Sequence, residues 1–192
     1  MKIENKHAFI EERIAESIRV KKGVSPEVIE KCSGILIEAL GSGKKVLFCG
    51  NGGSAADAQH FAAELVVRFK IDRKGLPAIA LSSDPSIVTA ASNDYGYERV
   101  FERQVEAYGT EGDVLVAIST SGRSKNVNLA VRKAYEMGMR IIYFTGKNDI
   151  GELEKVCDVV IHVPSDNTAR IQEAHEMIGH IMLEIVEREL FG

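Results

Sequence analysis

Five short runs of consecutive apolar residues, separated by stretches of helical periodicity, constrain the fold more than any other feature of this sequence. They are Val46–Cys49, Ala78–Leu81, Val114–Ile118, Ile141–Phe144 and Val159–Val163. A strand with one face in water alternates apolar and polar residues, whereas a strand covered on both faces does not. Continuous runs alternating with helices therefore predict a parallel sheet with helices on both sides, an α/β doubly wound architecture. The run at Val46 leads through GNGGS into a helix reaching about Phe69. Helical stretches follow over 86–92 and 100–108, then from STSGRS to about Met137, and finally over 168–189. That long terminal helix carries Ile178, Ile181, Met182, Ile185 and Val186 on one side.

Two more helices precede the first strand. Phe9, Ile10, Ile14 and Ile18 recur at helical spacing, and Ser25-Pro26 supplies an N-cap with proline at the first helical position. The second stripe is Val28, Cys32, Ile35, Leu36 and Leu40, ending at Gly41 and Gly43. These helices are extra to a minimal doubly wound domain. The expectation is one domain over 1–192, with 1–43 a helical extension packing on the core or on a partner subunit.

Composition narrows the function. With 45% hydrophobic and 27% charged residues the chain reads as an ordinary globular protein. A net charge of -4 argues against a nucleic-acid partner, though not against a small basic pocket for a phosphate. The charged start MKIENKHAFIEERIAESI has no apolar segment of signal-peptide type, and no stretch approaches the roughly 20 apolar residues of a membrane span. The expected location is cytoplasmic, with no membrane partner. Cys32, Cys49 and Cys157 are far apart and form no CxxC pair, so they read as reduced thiols, Cys49 in a core strand.

In open parallel sheets, ligands bind at the carboxyl ends of the strands. Two loops at such ends stand out. Gly50-Asn51-Gly52-Gly53-Ser54 permits close backbone approach, with Ser54 placed to cap the next helix. It lacks the third glycine of a dinucleotide-binding fingerprint and the lysine of a P-loop. Ser119-Thr120-Ser121-Gly122-Arg123-Ser124 sets four hydroxyls before a helix N-terminus, the makings of an anion site. Taken alone, each is also an ordinary polar turn; two of them on one sheet edge face one crevice.

The segments CGNGGSAADAQHFAAEL, SNDYGY, GDVLVAISTSGRSKNV and ARIQEAHEMIGH, in this order, resemble the phosphoheptose isomerases of the SIS (sugar isomerase) superfamily. The likeness covers nearly the whole chain. It implies a flavodoxin-like five-stranded sheet, a homotetramer with active sites at subunit interfaces, and an aldose–ketose isomerase. The implied reaction converts sedoheptulose 7-phosphate to D-glycero-D-manno-heptose 7-phosphate, the first step toward ADP-heptose or GDP-heptose precursors. It assigns acid–base catalysis to Glu64 and His180, and a zinc site found in some members to His60, Glu64, Gln172 and His180. Substrate contacts fall to Asn51, Gly52, Gly53, Ser54, Glu64, Asn93, Asp94 and Gln172, and the phosphate to Ser119, Thr120, Ser121 and Ser124. Some relatives carry an acidic residue where this chain has Ala169, which leaves that acid's role without a bearer.

These residue types suit the chemistry. A ketose-to-aldose change moves one proton from C1 to C2 and another between the two oxygens, through an enediol. A carboxylate suits the first transfer and an imidazole, titrating near neutrality, the second. Zinc would instead polarise the carbonyl. His60 and Glu64 are four apart and share a helix face, with Asp57 one turn earlier. His175, His162 and His7 read as structural. Gln172 and His180 are about 12 Å apart along one continuous helix, too far for one ion. A four-ligand site therefore predicts a break near Gln172 or ligands from different subunits, and the second is favoured. The alternative function is a non-catalytic SIS protein that binds a sugar phosphate or regulates a replication initiator. Retention of Glu64 and His180 beside both loops favours the enzyme. A third reading is an isomerase acting on another ketose phosphate.

Overall fold

Alternate residues of each central strand feed two separate cores. Val46–Gly50 (β1) and Val114–Ile118 (β3) are buried throughout. In the computed structural model, which describes residues 2–192, Val46, Phe48, Val116, Ile118, Ile142 and Phe144 line one core. Leu47, Cys49, Leu115, Ala117, Ile141 and Tyr143 line the other. The remaining elements, in chain order, are α1 (Lys6–Lys22), α2 (Pro26–Gly41), α3 (Gly53–Val66), β2 (Ala78–Ala80), α4 (Pro85–Tyr95), α5 (Val100–Tyr108), α6 (Lys125–Glu136), β4 (Arg140–Thr145), β5 (Val159–His162) and α7 (Thr168–Phe191). Short 3-10 turns occupy Tyr97–Arg99 and Gly151–Lys155.

The five strands are all parallel in the order β2-β1-β3-β4-β5. This is the flavodoxin-like order, whose connections reverse direction between β1 and β3. Helices α2, α3 and α7 supply Cys32, Leu36, Phe61, Leu65, Ile178 and Met182 to the first core. Helices α5 and α6 supply Phe101, Val105, Val127 and Val131 to the second. The expected sheet, both leading helices and the long terminal helix are present.

Two local expectations are corrected. Helix α3 stops at Val66 rather than near Phe69. The backbone N–H groups of Phe69, Lys70 and Ile71 donate to the Glu187 carboxylate on α7, the first and last at 3.0 and 2.9 Å. These bonds hold the chain in a loop where it would otherwise continue the helix. Ser54 does not cap α3: Gly52 occupies the cap position, and Ser54 is buried in the first turn. Gly52 has φ 55°, ψ −121°, a backbone state that glycine takes without strain. In α1, by contrast, Phe9, Ile10, Ile14 and Ile18 all remain exposed, at 42, 55, 56 and 49%.

Candidate active site

The reversal of strand order opens a crevice at the carboxyl ends of β1 and β3, where Gly50 pairs with Ile118. The two chemistry-bearing loops leave the sheet side by side from these residues. They are tied together by reciprocal amide bonds: Asn51 Nδ2 donates to Asn126 Oδ1 at 2.9 Å, and Asn126 Nδ2 donates to Asn51 Oδ1 at 2.8 Å. The Tyr97 hydroxyl also donates to Asn51 Oδ1, at 2.9 Å. Tyr97 lies just past Asn93 and Asp94, which are exposed at the end of α4 and bonded to each other at 2.8 Å. In the second loop the Ser119 hydroxyl donates to Ser124 Oγ at 2.9 Å, and Arg123 N–H donates to Ser121 Oγ. Ser124 holds the N-cap position of α6 without a side-chain capping bond. The Ser119 and Ser124 hydroxyls thus meet at the positive end of the α6 dipole, with Thr120 and Ser121 in the same loop, a chemistry suited to an anion.

A second cluster lies where α3 crosses α7. His60, Glu64 and His180 offer ligand atoms all within 4.8 Å of one another. His60 Nε2 is 2.9 Å from His180 Nε2 and 3.4 Å from Glu64 Oε1. Glu176, one turn before His180, places Oε1 3.6 Å from both of those imidazole nitrogens. Asp57, buried at 8% exposure, abuts Glu176 from α3. Burial, then a hydrogen bond and the like charge of Glu176, push the Asp57 carboxyl up to about 7.

Three features fix this crossing. Gly179 has no side chain where a Cβ would lie 2.1 Å from the Phe61 ring, so α7 approaches α3 closely beside His180. Phe69 stacks on the His180 imidazole at 5.5 Å and 17°. Arg73 Nε donates to Glu187 at 3.0 Å, both side chains being 2% exposed. Arg73 also caps the end of α3, donating to the carbonyls of Glu64 and Leu65 at 2.8 and 2.7 Å. Burial alone would raise the Glu187 carboxyl, but its backbone and Arg73 hydrogen bonds outweigh that and hold it below the usual range.

Of the residues expected to form a metal site, His60, Glu64 and His180 meet within one chain, and of the two arrangements expected for a four-ligand site the break in the helix near Gln172 is absent. The crossing of α3 and α7 brings Glu64 to His180 directly. Gln172 stands apart: its amide lies against Gly53, where a Cβ would fall 2.3 Å from Nε2. The unbroken helix α7 accounts for that separation. Glu176, Tyr97, Asn126 and Phe69 were not anticipated. Glu176 had a sequence signal, because it stands four residues before His180, the spacing of the His60–Glu64 pair. His175 is fully buried and burial lowers it to about 4, while His7 and His162 lie against Glu11 and Glu154 at the surface. Cys49 is buried in β1, where burial pushes its thiol up to about 12. Two imidazoles with a carboxylate match the donor set of zinc sites that keep a position open for substrate or water, so these residues fit a divalent ion.

Residues 11–146 match the SIS domain family. The chain is similar to the phosphoheptose isomerase of Clostridium acetobutylicum, 56% identical with 96% of each chain covered. It is 50% identical to that of Aliarcobacter butzleri, over 96% of this chain and 98% of the other. Its fold superposes on the phosphoheptose isomerase structure from Neisseria gonorrhoeae with a TM-score of 0.88 at 42% identity, covering 96% and 100% of the two chains. For the structure from Francisella tularensis the TM-score is 0.90 at 37% identity, covering 96% and 99%. The chain belongs to the SIS domain family and, within it, to the phosphoheptose isomerases, and it is an isomerase.

Proposed function

We propose that the enzyme converts sedoheptulose 7-phosphate to D-glycero-D-manno-heptose 7-phosphate through an enediol, the first step toward ADP-heptose or GDP-heptose. The observation that carries this reading is the meeting of Glu64 and His180 at one point of the chain. Glu64 takes the proton from C1 and returns it at C2. His180 moves the second proton between O1 and O2. Ser119, Thr120, Ser121 and Ser124 hold the phosphate. Asn51, Gly52, Gly53, Ser54, Asn93, Asp94 and Gln172 orient the sugar chain. Residues 1–192 act as one SIS unit, in the cytoplasm, as a homotetramer to which α1 contributes its apolar stripe. Fusion of both loops with an acid–base pair weighs against a purely regulatory SIS protein.

A second reading is supported by the same cluster: His60, Glu64 and His180 hold zinc, with Gln172 a further donor only if it reaches the site from elsewhere. Bound there, the ion would supply Lewis acidity toward the substrate's carbonyl oxygen. The two readings compete for the lone pairs of Glu64 and His180. A product assay with sedoheptulose 7-phosphate, with and without a chelator, separates them: activity surviving complete metal removal supports acid–base chemistry alone. In either case Glu64→Gln is expected to lower kcat by about 10²–10⁴-fold with the fold retained by circular dichroism. A wild-type kcat in that variant removes Glu64 from the mechanism.

A further inference from the structure

The bonds around Asn51 fix which of its atoms are left for a ligand. Asn126 is 4% exposed, so its amide must find its partners inside the protein. The Val127 backbone N–H donates to Asn126 Oδ1 at 3.0 Å. A backbone N–H can only donate, so that end of the Asn126 amide is its oxygen. The reciprocal pair then fixes the Asn51 amide: its Nδ2 donates to Asn126 Oδ1, and its Oδ1 accepts from Asn126 Nδ2. The Tyr97 hydroxyl donates to the same Asn51 oxygen at 2.9 Å and fills its second lone pair. Asn51 is left with one free N–H. Tyr97, exposed and with its hydrogen already engaged, is left with oxygen lone pairs. An N–H donor beside an oxygen acceptor matches a hydroxyl, which accepts and donates at once. A phosphate dianion, which only accepts, gives such an oxygen nothing.

Tyr97 also ties two parts of the crevice together. Gly96 ends α4 with φ 86° and ψ 149°, a backbone state suited to glycine, and leads directly into Tyr97. Among the described residues, no other side-chain hydrogen bond joins residues 93–97 to either loop. We propose that Tyr97 is a substrate-positioning residue: with Asn51 it binds a hydroxyl of the sugar chain, while the phosphate is held separately at Ser119–Ser124. The proposal rests on the sugar-phosphate reading of this crevice and adds to it a residue outside the expected contacts.

The test separates binding of the sugar chain from binding of phosphate and from turnover. Tyr97→Phe removes the hydroxyl and keeps the ring, with thermal melting as the control for folding. The probe is the open-chain polyol phosphate obtained by borohydride reduction of sedoheptulose 7-phosphate. It has hydroxyls and a phosphate but no carbonyl to isomerise. Its affinity for the full-length protein is measured by calorimetry beside that of inorganic phosphate. Tyr97→Phe is expected to weaken the polyol phosphate about tenfold, the scale of a lost hydrogen bond that leaves its partners unsatisfied, with inorganic phosphate unchanged. The kcat/KM for sedoheptulose 7-phosphate is expected to fall with it. Equal polyol phosphate affinity in variant and wild type overturns the proposal. So does a parallel loss of both ligands, which would make Tyr97 a support for the loops and nothing more. A wild type that binds the polyol phosphate no more tightly than inorganic phosphate overturns it as well. If Tyr97→Phe weakens the polyol phosphate alone, but the wild type leaves sedoheptulose 7-phosphate unconverted, the role of Tyr97 stands and the choice of substrate falls.

Discussion

His175 illustrates how a residue beside the site can govern stability without taking part in the chemistry. Its Nε2 lies 3.2 Å from the Thr145 carbonyl oxygen, so that nitrogen donates and Nδ1 is left as an acceptor. Nδ1 is buried without a partner. Protonating the ring would place a charge in the core with nothing to accept the new N–H, and burial accordingly lowers the group from 6.5 to about 4. The folded value lies below the unfolded one. The stability that neutral His175 provides is thus complete above pH 6.5 and is lost as pH falls toward about 4, a change of about 3 kcal/mol. Urea midpoints measured from pH 7.5 to 4.5 are expected to decline in the wild type. His175→Met, which fills the space and cannot ionise, is expected to show a shallower decline over the same range whatever its absolute stability. Equal slopes would mean that other groups carry the acid sensitivity. Glu64 and His180 show the opposite design: both side chains are partly exposed and lie within reach of other polar groups, Glu64 of His60 and His180 of His60 and Glu176.

At the level of elements, the crossing of α3 and α7 sets the site, and Gly179 sets the crossing. A methyl group there would overlap the Phe61 ring, with atoms at 2.1 and 2.2 Å, far inside van der Waals contact. Gly179→Ala is expected to push α7 away from α3, displacing the neighbouring His180 from His60 and Glu64. Overpacking of this kind typically costs about 1–3 kcal/mol. Melting temperature and zinc affinity should both fall, and Phe61→Leu introduced alongside should recover part of each, since the two residues share one space. No recovery would place the strain elsewhere. This crossing was hidden in the sequence, whereas the sheet was not. Strands buried on both faces announce themselves as unbroken apolar runs, and GNGGS and STSGRS mark where their carboxyl ends carry polar loops. Helix arithmetic also placed His60 with Glu64 and kept Gln172 from His180. What no local pattern states is which face of α3 meets which face of α7. Glu187 ends α3 by accepting from Phe69 across 118 residues of sequence, and Glu176 joins His60 only because the two helices cross beside Gly179. Both are facts of tertiary packing that overrode local helical propensity and spacing.

For the whole molecule, the decisive question is whether one chain carries a complete set of reacting groups. The exposed stripe of Phe9, Ile10, Ile14 and Ile18 on α1 lies beside Arg13, Arg170 and Glu173 of a surface groove. A run of large apolar side chains on one helix face is unusual on an isolated subunit and suits a partner surface. Ile14→Asp is expected to lower the mass measured by light scattering, without loss of helix content, if α1 joins the subunits. The placement of Glu64 and His180 makes a separate prediction about how such an assembly works. If the two groups came from different chains, mixing Glu64→Gln subunits with His180→Ala subunits would regenerate some intact sites after dissociation and reassembly. In this structure both groups belong to one cluster in one chain. Every site of a mixed assembly then carries one lesion or the other, and none is whole. Activity of the reassembled mixture is therefore expected to equal the average of the two inactive parents, with mixed assembly verified by mass spectrometry of differently tagged chains. Recovered turnover would show instead that Glu64 and His180 act across an interface. The pairing of α3 with α7 inside one chain would then describe packing and not the catalytic unit.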